Sequence, residues 1–294
     1  HGGGPWLPIT SESTLRACKN FPTRPSDIFI CSYPKSGTTW MQNIVAQIIT
    51  QCETTASFQH ISEVAPFFEI DPHWNHHPLP QQTLTDAVQS HHARFGRRCF
   101  NTHLPWALMP RNIHSPPKYI YPVRDGRDAA VSFFHHLSSQ SSADGGYTKG
   151  WDAFFDEWIR GEIAFGSWAN HLASWHSPGT HDPAVLVIRY ADLKHDLRGC
   201  IQRVAAHIGG PGDVSAISGE ELDAIVDRVS FVRMREDVGR FQPKSVAWIN
   251  PGYSFIRKGK VGDHATLFSA EQLTHFDAAM VDAFGPDASP PFLL

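Results

Sequence analysis

The run Asp27-Ile28-Phe29-Ile30-Cys31 is apolar after its first residue and stops at Ser32-Tyr33-Pro34, beyond which a helical stretch runs from about Thr38 to Gln51. Three further short apolar runs, 98–103 (RCFNTH), 118–123 (KYIYPV) and 184–190 (AVLVIRY), each lead into turn chemistry or a helix. Short apolar runs alternating with amphipathic stretches are the pattern of β-α units around a parallel sheet. Each run carries polar residues at its C-terminal end, where open α/β sheets place their ligands. The predicted fold is therefore α/β, three-layered, with a central parallel sheet flanked by helices. One domain is expected over residues 1–294, with residues 1–15 as a flexible lead.

Helices are expected at about 127–139, at 151–175 with a break near Gly161 or Gly166, and at about 192–208, 218–228 and 270–284. The segment 236–262 is rich in Gly, Pro and aromatics without clear periodicity. A loop of that length in a compact domain is usually functional, so it is a candidate lid.

The net charge of -4, with 18 histidines counted as neutral, gives no general attraction for nucleic acid or an anionic membrane. Any anion site must therefore be a local concentration of Arg and Lys. The five cysteines, Cys18, Cys31, Cys52, Cys99 and Cys200, are scattered and form no C-x-x-C pair, which speaks against a disulfide framework or a thiolate zinc site. With no run of about 18 apolar residues and no basic-then-apolar leader, the expectation is a soluble, cytoplasmic protein without a membrane or nucleic-acid partner.

The segment Ser32-Tyr33-Pro34-Lys35-Ser36-Gly37-Thr38-Thr39-Trp40 lies between the first strand and its helix. A glycine-containing turn lets backbone N–H groups face an anion, the helix N-terminus adds partial positive charge, and Lys35, Thr38 and Thr39 add donors. In a nucleoside triphosphate loop a Lys follows the second Gly and a hydroxyl residue then binds magnesium; here Lys35 precedes Gly37 by two. That placement brings the lysine to the bond being broken and favours a donor chemistry without a metal. The plainer alternative is a helix cap at Thr38 or Thr39 with Lys35 solvated.

The loop resembles the 5'-phosphosulfate-binding loop of the cytosolic sulfotransferases (Y-P-K-[SA]-G-T-T-W), matched from Tyr33 to Trp40. The resemblance implies that 3'-phosphoadenosine 5'-phosphosulfate (PAPS) is the co-substrate, held at its 5' end by Lys35, Ser36, Gly37, Thr38 and Thr39. It also implies that Lys35 steadies the departing bridging oxygen and Trp40 stacks on adenine. Two separated segments extend it. Arg124 just past a strand and Ser132 about two turns into the next helix resemble the 3'-phosphate-binding segment; surface salt bridges among Arg124, Asp125, Arg127 and Asp128 are the plainer reading. Arg257-Lys258-Gly259-Lys260-Val261-Gly262-Asp263-His264 resembles R-K-G-x-x-G-D-W, departing at His264, and implies 3'-phosphate contacts from Arg257, Lys258 and Gly259. By the same resemblance, Tyr190 contacts adenine and Phe231 sandwiches it with Trp40. Ala265, Ser269, Ala270 and Thr274 stand where the family's dimer-forming pattern would be, so a monomer or a different dimer is expected.

Asn101-Thr102-His103-Leu104-Pro105 ends a strand at the ligand-binding edge and is similar to the family's K-T-H-x-P, which implies His103 as general base. Lys35, His103 and Ser132 are thus the candidate catalytic residues. Asn101 replaces a lysine, and loss of that cation predicts weaker transition-state electrostatics and slower turnover. His73-Trp74-Asn75-His76-His77 lies between prolines and lacks metal-ligand spacing, which favours a substrate-gate loop over a metal site. With Phe67, Phe68, Phe133, Phe134, His135 and His136 it offers a lining for a small apolar acceptor, in competition with core packing. Two rivals stand beside this reading: a magnesium-dependent kinase, and a nucleotide-binding module without turnover.

Overall fold

The computed structural model describes residues 5–50, 58–74, 93–209 and 217–286. Four parallel strands, β1 (Ile28–Cys31), β2 (Cys99–Thr102), β3 (Lys118–Val123) and β4 (Val185–Arg189), form a sheet in the order β2-β1-β3-β4. Register is fixed by Ile28 opposite Cys99 on one side and Lys118 on the other, and by Tyr119 opposite Val185. Every residue of β1 is buried, because the strand is central and its side chains alternate between two cores. Phe29 and Cys31 enter one core, and Ile28 and Ile30 the other.

The first core is covered by α1 (Glu12–Lys19), α3 (Gly126–Leu137), α4 (Trp151–Ile159), α5 (Trp168–His181) and α10 (Ala270–Phe284); the second by α2 (Thr38–Ile49), α7 (Leu197–Gly209) and α8 (Gly219–Arg228). Two short helices, α6 (Tyr190–His195) and α9 (Phe231–Glu236), complete the described set. Helices on both faces of a parallel sheet make the three-layer α/β architecture that the sequence predicts. No helix among the described residues is long and apolar enough to cross a membrane.

Within the lead expected over residues 1–15, the described residues 5–15 include the cap and first turn of α1. Ser11 caps α1 by accepting from Thr14 N–H, and the buried Thr14 hydroxyl donates to the Asp71 carboxylate at 2.7 Å. A capping serine followed by a helix with a buried face supplies the tertiary anchor that composition did not reveal. The expected helix 151–175 breaks where its glycines predict, into α4 and α5, with Gly161 and Gly166 at positive φ. The expected helix 192–208 begins earlier and divides into α6 and α7. Tyr190, expected at the end of a strand, opens α6 instead, since β4 ends at Arg189 opposite Val123.

Segment 236–262 is mostly irregular, with one short turn of helix at Val238–Arg240. It is fastened near its middle: Ser141 N–H donates to Ala247 C=O, Ile249 N–H to Ser139 C=O, and Ala247 N–H to the Asp144 carboxylate.

Candidate active site

The sheet order places β1 between β2 and β3, so the segments leaving these three strands meet at one edge. Arrangements of this kind open a crevice at the carboxyl ends of the strands. The β1–α2 loop is anchored from beneath by Tyr33, whose buried hydroxyl accepts from Trp158 Nε1 at 2.9 Å and donates to Gly166 C=O at 3.0 Å. Gly37, at φ 101°, forms the N-cap of α2 and no side chain caps the helix. A Cβ at Gly37 would stand 3.0 Å from the Tyr190 ring, so both conformation and space require glycine. The Thr38 hydroxyl, the plainer candidate for a cap, shares a 2.6 Å hydrogen bond with Ser32. The first turn of α2 thus keeps its backbone donors facing the crevice.

Arg124 follows β3 and locks two anion-binding candidates together. It donates to Lys35 C=O at 3.1 Å and to Lys260 C=O at 3.0 Å, and lies 4.6 Å over the Tyr190 ring. The 257–264 loop is held by a carboxylate that the plainer reading of the sequence places on the surface. Asp128, buried on α3, accepts from Gly262 N–H at 2.9 Å, His264 N–H at 3.0 Å and His264 Nδ1 at 2.9 Å. His264, where the motif departs, is therefore tied to α3 by its ring. Asp263 accepts from Arg257 at 2.5 Å and Lys258 at 2.8 Å, holding both cations to the loop. The surface reading holds for Arg127 and Asp125 alone, a half-exposed pair at 2.5 Å.

Trp40 is fixed by its indole N–H, 2.8 Å from Val229 C=O, and packs edge-on to Tyr190. Lys194, which the sequence reading did not single out, places its ammonium 5.9 Å from the Trp40 ring and 5.4 Å from the Phe231 ring. Gly259, at φ 60°, lies so close to Phe231 that an added Cβ would sit 2.4 Å from its ring. The predicted donor residues therefore converge from α2, β3, α6, α9 and the 257–264 loop. Ser132 is half-buried on α3.

These residues fit an anionic nucleotide. Ser36 Oγ and Arg124 Nε are buried without a hydrogen-bond partner, a costly state that a phosphate or sulfate oxygen would relieve. Among the described residues, no group of three or more His, Cys, Asp or Glu could hold a metal ion. His73 has its Nδ1 against Phe67 C=O, and residues 75–77 of the histidine-rich segment lie outside the described residues.

At the end of β2, the His103 ring stands beside this loop. Its Nδ1–H donates to Ser32 C=O at 2.7 Å, which leaves the lone pair on Nε2. Burial, offset in part by the Ser32 hydrogen bond and reinforced by Lys35, pushes its pKa down to about 4. Lys35 adopts φ 64° and holds its ammonium 4.2 Å from the Phe255 ring centroid. Burial, then Arg124 and Arg257, lowers its pKa to about 7. Phe165 and Phe67 pack against His103 with centroids at 5.0 and 5.4 Å. Phe68 and Phe133, offered by the sequence as lining, are buried in the first core instead. Asn101 turns its amide away to donate to Ala65 C=O at 2.7 Å.

One buried carboxylate nearby escaped the sequence reading, and His136, named there only as candidate lining, makes specific contacts. Glu69 accepts from His103 N–H at 2.6 Å, and burial raises its carboxyl to about 7. Its signal was a lone carboxylate inside the apolar run 65–70 (APFFEI). His136 is held by Gln140 at 2.8 Å and Tyr253 at 2.9 Å; burial, then Lys35 and His103, puts its pKa well below the usual imidazole value.

A sheet edge that gathers backbone donors, arginines, a lysine and a neutral imidazole defines an α/β transferase site for an anionic nucleotide. The sulfotransferase domain profile matches residues 25–285, and the chain belongs to the sulfotransferase family. Rat sulfotransferase 1C2 is 33% identical over 271 residues, covering 88% of this chain and 83% of the relative. Bovine sulfotransferase 1A1 is 30% identical, covering 94% and 89%. The crystal structure of mouse sulfotransferase SULT7A1 complexed with PAP, adenosine 3',5'-bisphosphate, superposes with a TM-score of 0.70 at 25% identity, covering 96% of this chain and 93% of that one. The chain is accordingly a PAPS-dependent transferase acting on a small-molecule acceptor.

Proposed function

We propose that this chain moves the sulfuryl group of PAPS to a hydroxyl, or alternatively an amine, of a small, largely apolar acceptor, with His103 as general base and Lys35 stabilising the leaving oxygen. The observation that carries this reading is the meeting of two unlike groups at the ends of neighbouring strands. One is an imidazole whose tautomer is set by the Ser32 carbonyl; the other is an ammonium in the adjoining turn.

The donor supplies an activated sulfur whose bridging bond to the 5'-phosphate breaks as the acceptor oxygen attacks in line. Lys35, Ser36, Gly37, Thr38 and Thr39 hold its 5' end, and Arg124, Ser132, Arg257, Lys258 and Gly259 its 3'-phosphate. Trp40, Tyr190 and Phe231 take the base, and Ser132 also helps to orient the reacting end. His103 Nε2 removes the acceptor proton, and Lys35 offsets charge on the departing oxygen. Positioning supplies most of the rate, as in phosphoryl transfer. Phe67 and Phe165 flank His103 and support an acceptor with an apolar body. Since Asn101 faces Ala65, the missing cation is not replaced at that position, and turnover slower than with a lysine there is expected.

Incubation with PAPS and a panel of phenols, alcohols, steroid-like compounds and amines, read by mass spectrometry, should reveal a product heavier by one sulfuryl group. Donor binding with no transfer to any acceptor, even in a single turnover, would instead favour a nucleotide-binding module.

A further inference from the structure

β2 ends at Thr102, whose C=O is the last to enter the ladder, accepting from Ser32 N–H at 3.1 Å. Residue 103 therefore lies beyond the sheet, and its backbone is held by side chains. Its N–H goes to Glu69. Its C=O accepts from Nε2 of His171, on α5, at 3.1 Å. A carbonyl only accepts, so His171 carries its proton on Nε2, and Nδ1 accepts from the Tyr121 hydroxyl at 3.0 Å.

The His171 ring stacks on Tyr121 of β3 with centroids 5.9 Å apart and meets Tyr33 of the β1–α2 loop edge-on at 5.6 Å. One side chain thus touches the segments leaving β1 and β2 and a residue of β3. Hydrophobic packing alone would be served by leucine or phenylalanine without the cost of burying two ring nitrogens. Both nitrogens are instead satisfied in a defined order. Burial, reinforced by His103, drops the His171 pKa to about 3, so the ring stays neutral across the working range of an enzyme. The titratable groups facing it are His103, Tyr33 and Tyr121.

We propose that His171, oriented by Tyr121, is a positioning residue that fixes the His103 backbone and so aims Nε2 of His103 relative to the loop carrying Lys35. The proposal rests on the assignment of His103 as base. A hydrogen-bonded ring bridging two catalytic segments controls their separation, and errors of about 1 Å at such a site cost about 10²-fold in rate.

The test compares wild type with His171→Leu, which removes both hydrogen bonds, and His171→Gln, whose amide can donate to residue 103 and accept from Tyr121. Each is read by turnover at saturating PAPS, PAP affinity, and nitrogen NMR of the His103 ring. Expected for His171→Leu is turnover lower by about 10- to 100-fold, PAP affinity within about threefold, and a mixed His103 tautomer. His171→Gln should recover most of the rate and the single Nδ1–H tautomer. Wild-type turnover in a PAP-binding His171→Leu protein would overturn the proposal, as would equal losses in both variants. If His171→Leu does not fold, Tyr121→Phe keeps the volume but frees the His171 tautomer. Lowered turnover with an altered His103 signal is then expected, and an unchanged signal overturns the proposal. A wild-type protein that ignores PAP would sink the transferase reading, while the NMR comparison would still decide the brace.

Discussion

His103→Ala should lower turnover by about 10²- to 10⁴-fold, the range for loss of a positioned general base, while PAP affinity stays within about threefold. The separation follows from geometry. His103 leaves β2 flanked by Phe67 and Phe165, on the side proposed for the acceptor, whereas the residues proposed to hold the donor converge from other segments. Alanine removes the Nε2 lone pair, the Nδ1–H bond to Ser32 C=O and some apolar contact, none of which belongs to the proposed nucleotide contacts. Because the His103 pKa is depressed to about 4, the imidazole is already neutral at pH 6 and proton removal is not lost there. Wild-type turnover in His103→Ala, measured with the acceptor found by the product screen, would show that another group takes the proton.

Lys35→Met should cost about 10²- to 10³-fold in turnover, comparable to losing one preorganised donor to a developing oxyanion, and should also change the pH profile. In the proposed mechanism the ammonium is the active form, and burial, then Arg124 and Arg257, lowers its pKa in the ligand-free protein to about 7. Wild-type kcat/KM for PAPS should accordingly fall as pH rises through about 7, since the charge is present below that pH and lost above it. An anionic donor stabilises the ammonium, so binding at pH 8 should be accompanied by proton uptake. Lys35→Met should lack both the alkaline fall and the proton uptake. Lys35→Arg, whose side chain stays charged, should also lack the alkaline fall while recovering part of the rate. An alkaline fall that persists unchanged in Lys35→Met would assign it to another group.

The parts of the site that could be read in the sequence are those built from contiguous residues. Lys35, Gly37 and Trp40 follow one strand directly, and a tight turn between a strand and a helix leaves little freedom for where they point. Strand direction also decides the edge of the sheet at which His103 stands, whereas its reading as a base came from the resemblance to K-T-H-x-P. The four strands were legible as short apolar runs, and the break between α4 and α5 as two glycines that both take positive φ. What the sequence hid are partners distant along the chain. Glu69 meets His103 across 34 residues, His171 meets it across 68, and Asp128 meets Gly262 across 134. In local pattern Asp128 is one more charge at the start of a helix, and only the fold shows it buried beneath the 257–264 loop. Tyr190 shows a boundary error of another kind. Its strand-like neighbours end at Arg189, where pairing with β3 stops, and the next residue already turns as helix. The ordered α1 was missed because its capping serine and buried threonine gain their meaning from Asp71.

Titration calorimetry of the purified protein with adenosine 3',5'-bisphosphate, and separately with ATP and magnesium, tests the donor site most directly. Saturable binding of the bisphosphate without added metal, weakened by Arg257→Ala, is the predicted result. Heat from magnesium ATP with none from the bisphosphate would contradict the account at its root.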